Sequence, residues 1–76
     1  KGHNLFFAYK DRPAVLGKIT SVLGQNNINI HDVRAPHNKA QDRSLAILKV
    51  DKNVTQNVID EIAKAIGAEN AFYVEL

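Results

Sequence analysis

Leu5 to Tyr9 form an unbroken apolar and aromatic run, bounded by Asn4 and by Asp11-Arg12-Pro13, which predicts a strand ending at Lys10. Pro13 then stands where a helix tolerates proline, in the first turn, with Asp11 close by as a cap or Asx-turn former. Val15, Leu16, Ile19, Val22 and Leu23 recur at helical spacing and make one apolar stripe. Gly24 and Asn26-Asn27 are expected to end that helix, because Asn tolerates the left-handed backbone of a C-terminal cap.

Alternation resumes at Ile28-Asn29-Ile30, which predicts a second strand running through Val33 to about Pro36. His37 to Asp42 read as a polar turn, and Ser44 to Asp51 as a third strand returning antiparallel to the second. Asn53 or Thr55 is expected to cap a second helix with the stripe Val58, Ile59, Ile62, Ala63, Ile66 and with Gly67 just past its end. Ala71 to Leu76 supply the last strand. The order βαββαβ is the α+β, ferredoxin-like plan, a four-stranded antiparallel sheet with two helices on one face. One feature departs from that plan. Leu5 to Tyr9 and Leu45 to Leu48 are apolar at consecutive positions, so both faces of the sheet are apolar where helices cover only one. Another copy of the domain, or the rest of a parent protein, is expected on the second face.

Seventy-six residues make one small domain, spanning 1–76. Without a Met and with a strand at its very start, it is expected to be a piece from the C-terminal end of a longer enzyme. Cysteine is absent, so neither a disulfide nor a thiolate metal cluster can form. No apolar run is long enough to span a membrane, and no signal peptide precedes the first strand, so a cytoplasmic location without membrane partners is expected. The net charge of +2 is spread over scattered Lys and Arg with no block, unlike a nucleic-acid footprint.

Candidate chemistry is sparse. His31 and His37 lie six apart on a predicted strand, about 20 Å at ~3.3 Å per residue, and cannot share an ion unless that strand breaks. His3 is terminal, and no Asp or Glu completes a metal spacing such as H-E-x-x-H. Asp60 pairs with Lys64 one turn on, an ordinary surface pair, and Asp11 and Asp32 have no evident base or nucleophile beside them. No catalytic or metal site is therefore expected within these residues. RNA-binding domains share the fold outline and stack bases on central strands, and Phe6, Phe7 and Tyr9 would serve. The third strand offers Leu45, Ile47 and Leu48 instead, which leaves that signature incomplete.

What remains is the loop after the first strand. Amides at a helix start carry partial positive charge and take a carboxylate. Asp11 can accept from an ammonium group, and Asn29 offers an acceptor and two donors. That set matches an amino acid zwitterion; the competing reading is that Asp11 only caps the helix and Asn29 only packs.

Asp11-Arg12-Pro13-Ala14-Val15-Leu16 followed by Asn26-Asn27-Ile28-Asn29-Ile30 resembles the ACT domain, a regulatory ligand-binding module, over nearly the whole chain. Within that family the chain is similar to the C-terminal regulatory domains of D-3-phosphoglycerate dehydrogenases, which bind L-serine and use it to inhibit serine synthesis. The resemblance implies an allosteric amino-acid-binding and dimerisation domain. Its parent would use NAD as an oxidoreductase, with no cofactor in this part. In serine-binding members the ligand sits between two domains, and the family's ligand positions fall here on Tyr9, Asp11 and Asn29. The implied contact set runs from Tyr9 and Asp11 through Arg12, Pro13, Ala14, Val15 and Leu16, with Asn29, Ile30 and His31 at the re-entry; Asp32 would add a contact from a partner. Tyr9 replaces a family His, Asp11 is a common variant of Asn, and Ala14 stands where Gly is usual, its methyl narrowing the pocket. A ligand-free oligomerisation module of a metabolic enzyme is the alternative.

Overall fold

The computed structural model describes residues 2–38, 40 and 42–76. Positions 39 and 41 of the expected polar turn lie outside the described residues.

Strand β1 (His3–Lys10) is central, flanked by β4 (Arg43–Val50) and β5 (Asn70–Glu75), both antiparallel to it. Strand β2 (Ile30–Arg34) pairs with the far side of β4, giving the order β2-β4-β1-β5. A two-residue strand, β3 (His37–Asn38), pairs with the start of β4. Arg34 opposes Ile47 and His37 opposes Ser44, three residues on along each strand, so β2 and β3 keep one register along β4. Between them Pro36 has no N–H to give, although its carbonyl still accepts from Leu45 at 3.0 Å. The expected second strand thus starts two residues late and is interrupted at Ala35-Pro36. A register shift between Ile30 and Asp32 leaves His31 as the extra residue of a bulge.

Helices α1 (Val15–Gln25) and α2 (Gln56–Ile66) bury their predicted stripes against one face of the sheet. Val15, Ile19, Val22 and Leu23 of α1 and Ile59, Ile62 and Ile66 of α2 join Leu5, Phe7, Tyr9, Ala46, Leu48 and Val50 in one core. The alternate positions Phe6, Ala8, Leu45 and Ile47 point to the other face and are half-buried. There Phe6 stacks on Phe72, ring centroids 5.4 Å apart, and Phe72 remains 52% exposed. The doubly apolar pattern therefore has a structural counterpart: one face is core, the other an open apolar surface.

The helix ends are closed by backbone. Asn27, at φ 62°, turns the chain left-handed after α1 while the Ile28 N–H donates to the Leu23 carbonyl at 3.0 Å. Gly67, at φ 64°, does the same after α2, with the Ala68 N–H donating to Ala63 at 2.9 Å. Thr55 is the N-cap of α2, one of the two expected residues, without a side-chain bond. Two local expectations change: Gly24 lies inside α1 rather than ending it, and Asp11 does not cap α1. The N-cap there is Ala14, at φ 72°. Asp60 accepts from Gln56 at 2.8 Å, one turn before it.

Candidate functional site

The antiparallel pairing of β1 with β4 brings the end of β1 beside the β3–β4 turn. Tyr9, Ser44 and His37 are neighbours across three strands. Over this row stands the β1–α1 loop, Asp11 to Ala14, and the first turn of α1. Together they enclose a cavity of about 260 Å³ lined by Tyr9, Asp11, Arg12, Ala14, Val15, Leu16, Gly17, Ala35, His37 and Ser44.

The polar side chains there have defined ties. Ser44, 6% exposed, donates its hydroxyl to Asp11 Oδ1 at 3.2 Å. The Asp11 backbone N–H donates to the Asp42 carbonyl at 3.3 Å, which holds the loop to the β3–β4 turn. Tyr9 is 3% exposed; burial raises its phenol above the ordinary value, a bond with Ser44 opposes this, and the Asp11 carboxylate adds to it. Arg12 turns away: its guanidinium donates to the carbonyl of Ile66, the last residue of α2. His37 Nε2 lies 3.6 Å from Asp11 Oδ2 and 3.9 Å from Asp42 Oδ1. The amides of Val15, Leu16 and Gly17, at the start of α1, lack partners within the helix and border the cavity. The arrangement can hold a small molecule bearing a carboxylate and a positive group.

No protein-family model matches the chain. In sequence it is 37% identical, over all of its length, to D-3-phosphoglycerate dehydrogenase of Archaeoglobus fulgidus. It is 31% identical over 95% of its length to the Synechocystis enzyme of that name, and 33% identical over its whole length to that of Mycobacterium bovis. The chain spans only 13–15% of the length of these relatives. In structure it matches the ACT domain of a GTP pyrophosphokinase from Chlorobium tepidum, with a TM-score of 0.72, 16% identity, and 95% of each chain covered. An ACT domain protein from Streptococcus pneumoniae gives a TM-score of 0.74 at 10% identity, over 95% of this chain and 85% of the other. The chain has the fold of these ACT domains.

Within this fold, the expected contact residues divide into two groups. Tyr9, Asp11, Arg12, Ala14, Val15 and Leu16 line the cavity, and exposed Pro13 lies in the same loop. Asn29, Ile30 and His31 do not. Ile30 pairs with Val50, six residues along β4 from Ser44, which places it about 20 Å from the cavity at ~3.3 Å per residue. There the Asn29 backbone is tied to Asp51, its N–H donating to Oδ1 at 3.0 Å. His31 and His37 are accordingly at opposite ends of β4. Gly17, Ala35, His37 and Ser44 are lining residues outside the expected set, although an antiparallel first and third strand implies that the 37–42 turn meets the 11–13 loop. Among the described residues, Asp11, His37 and Asp42 are the set whose ligating atoms converge, all within 4.8 Å of one another.

Proposed function

We propose that this ACT domain is the amino-acid-sensing, regulatory portion of a D-3-phosphoglycerate dehydrogenase, an NAD-dependent oxidoreductase of serine biosynthesis, and that its effector is L-serine or a close relative. The observation that carries the reading is the cavity at the start of α1. Its free amides suit an α-carboxylate, Asp11 suits an α-ammonium, and about 260 Å³ suits a short side chain. The sequence relation to D-3-phosphoglycerate dehydrogenases supports the choice of parent enzyme.

A second copy completes the site. Asn29 is out of reach within one chain, but β2 is an edge strand, paired only with β4 in the sheet order. Antiparallel pairing of two β2 edges about a two-fold axis sets the start of one β2 beside the end of the other. Asn29 of the partner subunit then approaches Ala35 and His37. The open face carrying Phe6 and Phe72 offers a further contact, to another copy or to the parent's catalytic part. An effector bound across two copies favours one arrangement of subunits, and that differential binding is what couples it to the parent enzyme.

Calorimetric titration of the chain with L-serine and a panel of other amino acids, with its mass in solution measured alongside, tests the reading. A dimer that binds serine, and binds it at least tenfold more weakly as Asn29→Ala, is the expected result. Unchanged affinity in Asn29→Ala sinks the two-copy site. A dimer that binds no amino acid identifies an assembly module instead.

A further inference from the structure

We infer that Asp11, His37 and Asp42 form a binding site for a divalent metal ion of the zinc class. The inference shares Asp11 with the amino-acid reading but does not rest on it, since it needs no organic ligand and no second copy.

The geometry carries it. The two close approaches to His37 Nε2, 3.6 and 3.9 Å, exceed the 2.7–3.2 Å of an N–H···O hydrogen bond. They match another spacing better. Donors about 2.0–2.1 Å from a four-coordinate ion stand roughly 3.4 Å apart, so these atoms need only close by a few tenths of an ångström around an ion. All three residues are exposed, and their ligating atoms fall within 4.8 Å of one another, so the two carboxylates must draw in by up to about 1.4 Å around an ion.

The donors come from three segments that the backbone already fastens together. Asp11 is in the β1–α1 loop, His37 on β3, and Asp42 in the β3–β4 turn at φ 54°; the Asp11 N–H to Asp42 carbonyl bond ties the first to the last. The buried Ser44 hydroxyl takes Asp11 Oδ1, leaving Oδ2 turned toward His37. That is the outer support which orients a ligating carboxylate. One imidazole nitrogen with two carboxylates is a borderline donor set. It suits Zn²⁺ and its neighbours; Ca²⁺ wants six to eight oxygens and Mg²⁺ an octahedron. Three protein donors leave an exchangeable position on a four-coordinate ion.

The test is calorimetric titration of the EDTA-stripped, dialysed chain with zinc chloride, with calcium and magnesium chloride as comparisons. One saturable Zn²⁺ per chain is expected, with affinity falling at least tenfold in His37→Ala and in Asp42→Asn, each checked by circular dichroism to be folded. His31→Ala, with its imidazole about 20 Å away, should bind as the native chain does. Absence of saturable zinc binding overturns the inference, as does binding lost in His31→Ala and kept in His37→Ala. Serine titrated in the presence of EDTA reports on the amino-acid reading alone, so either can fail without the other.

Discussion

Ala14 concentrates the residue-scale questions. Its methyl borders the cavity, and the backbone adds a second consequence. Ala14 sits at φ 72°, ψ 6°, in the left-handed region, immediately before α1. A side chain costs about 1–2 kcal/mol there, which a glycine avoids while losing some freedom of its own. Ala14→Gly should therefore stabilise the fold by about 0.5–1 kcal/mol, seen as a higher urea midpoint at unchanged slope; a lower midpoint contradicts the strain argument. Tyr9 makes a second prediction, about pH. Its phenol is raised first by burial and then by Asp11, so the folded chain keeps that proton to higher pH than the unfolded chain, whose phenols ionise near about 10. The stability it contributes is whole below that pH and is lost as pH climbs through the folded value. Tyr9→Phe should lose about 1 kcal/mol at neutral pH with the Ser44 bond. It should also show a shallower fall in stability above pH ~10; equal slopes for the two proteins would refute the assignment.

At the scale of elements, the loop that borders the cavity is coupled to the far helix through Arg12. Its guanidinium sits on the carbonyl of Ile66, at the negative end of α2, beside the left-handed Gly67. Arg12 belongs to the implied contact set and lines the cavity, while its guanidinium also fastens α2. Arg12→Ala should cost about 1 kcal/mol from the lost charge-assisted bond and the lost dipole contact, measured by thermal unfolding. If the residue faced only ligand, the melting temperature would not move. The same scale explains why some boundaries were legible and others not. Asn27 and Gly67 announced their turns because few residues accept positive φ. Gly24 misled, because a glycine within α1 is tolerated where the stripe on either side is buried.

At the scale of the whole molecule, a 76-residue domain has a stability of roughly 4–11 kcal/mol by the usual per-residue range, and so depends on whatever else it packs against. The open face, with Phe72 52% exposed beside Phe6, is where such packing would count. If copies pair there, the melting temperature should rise with protein concentration, and Phe72→Asp should flatten that rise while leaving the circular dichroism spectrum unchanged. A native melting temperature independent of concentration would leave the face without a partner of its own kind.

The periodicities of the chain by themselves determined the order of strands and helices, the residues that form the core, and the doubly apolar sheet. Periods of 2 and 3.6 are local, and burial follows them. They also placed Asp11 to Ala14 in the turn that leads from β1 into α1. Only the tertiary structure decided what meets that loop. Strand register brought Ser44 and His37 beside Tyr9, set Asp42 against Asp11, and carried Asn29 to the opposite end of β4. The physical reason is that pairing across a sheet joins residues tens of positions apart through backbone hydrogen bonds that any side chain permits, so the sequence carries little local trace of which residues will face one another.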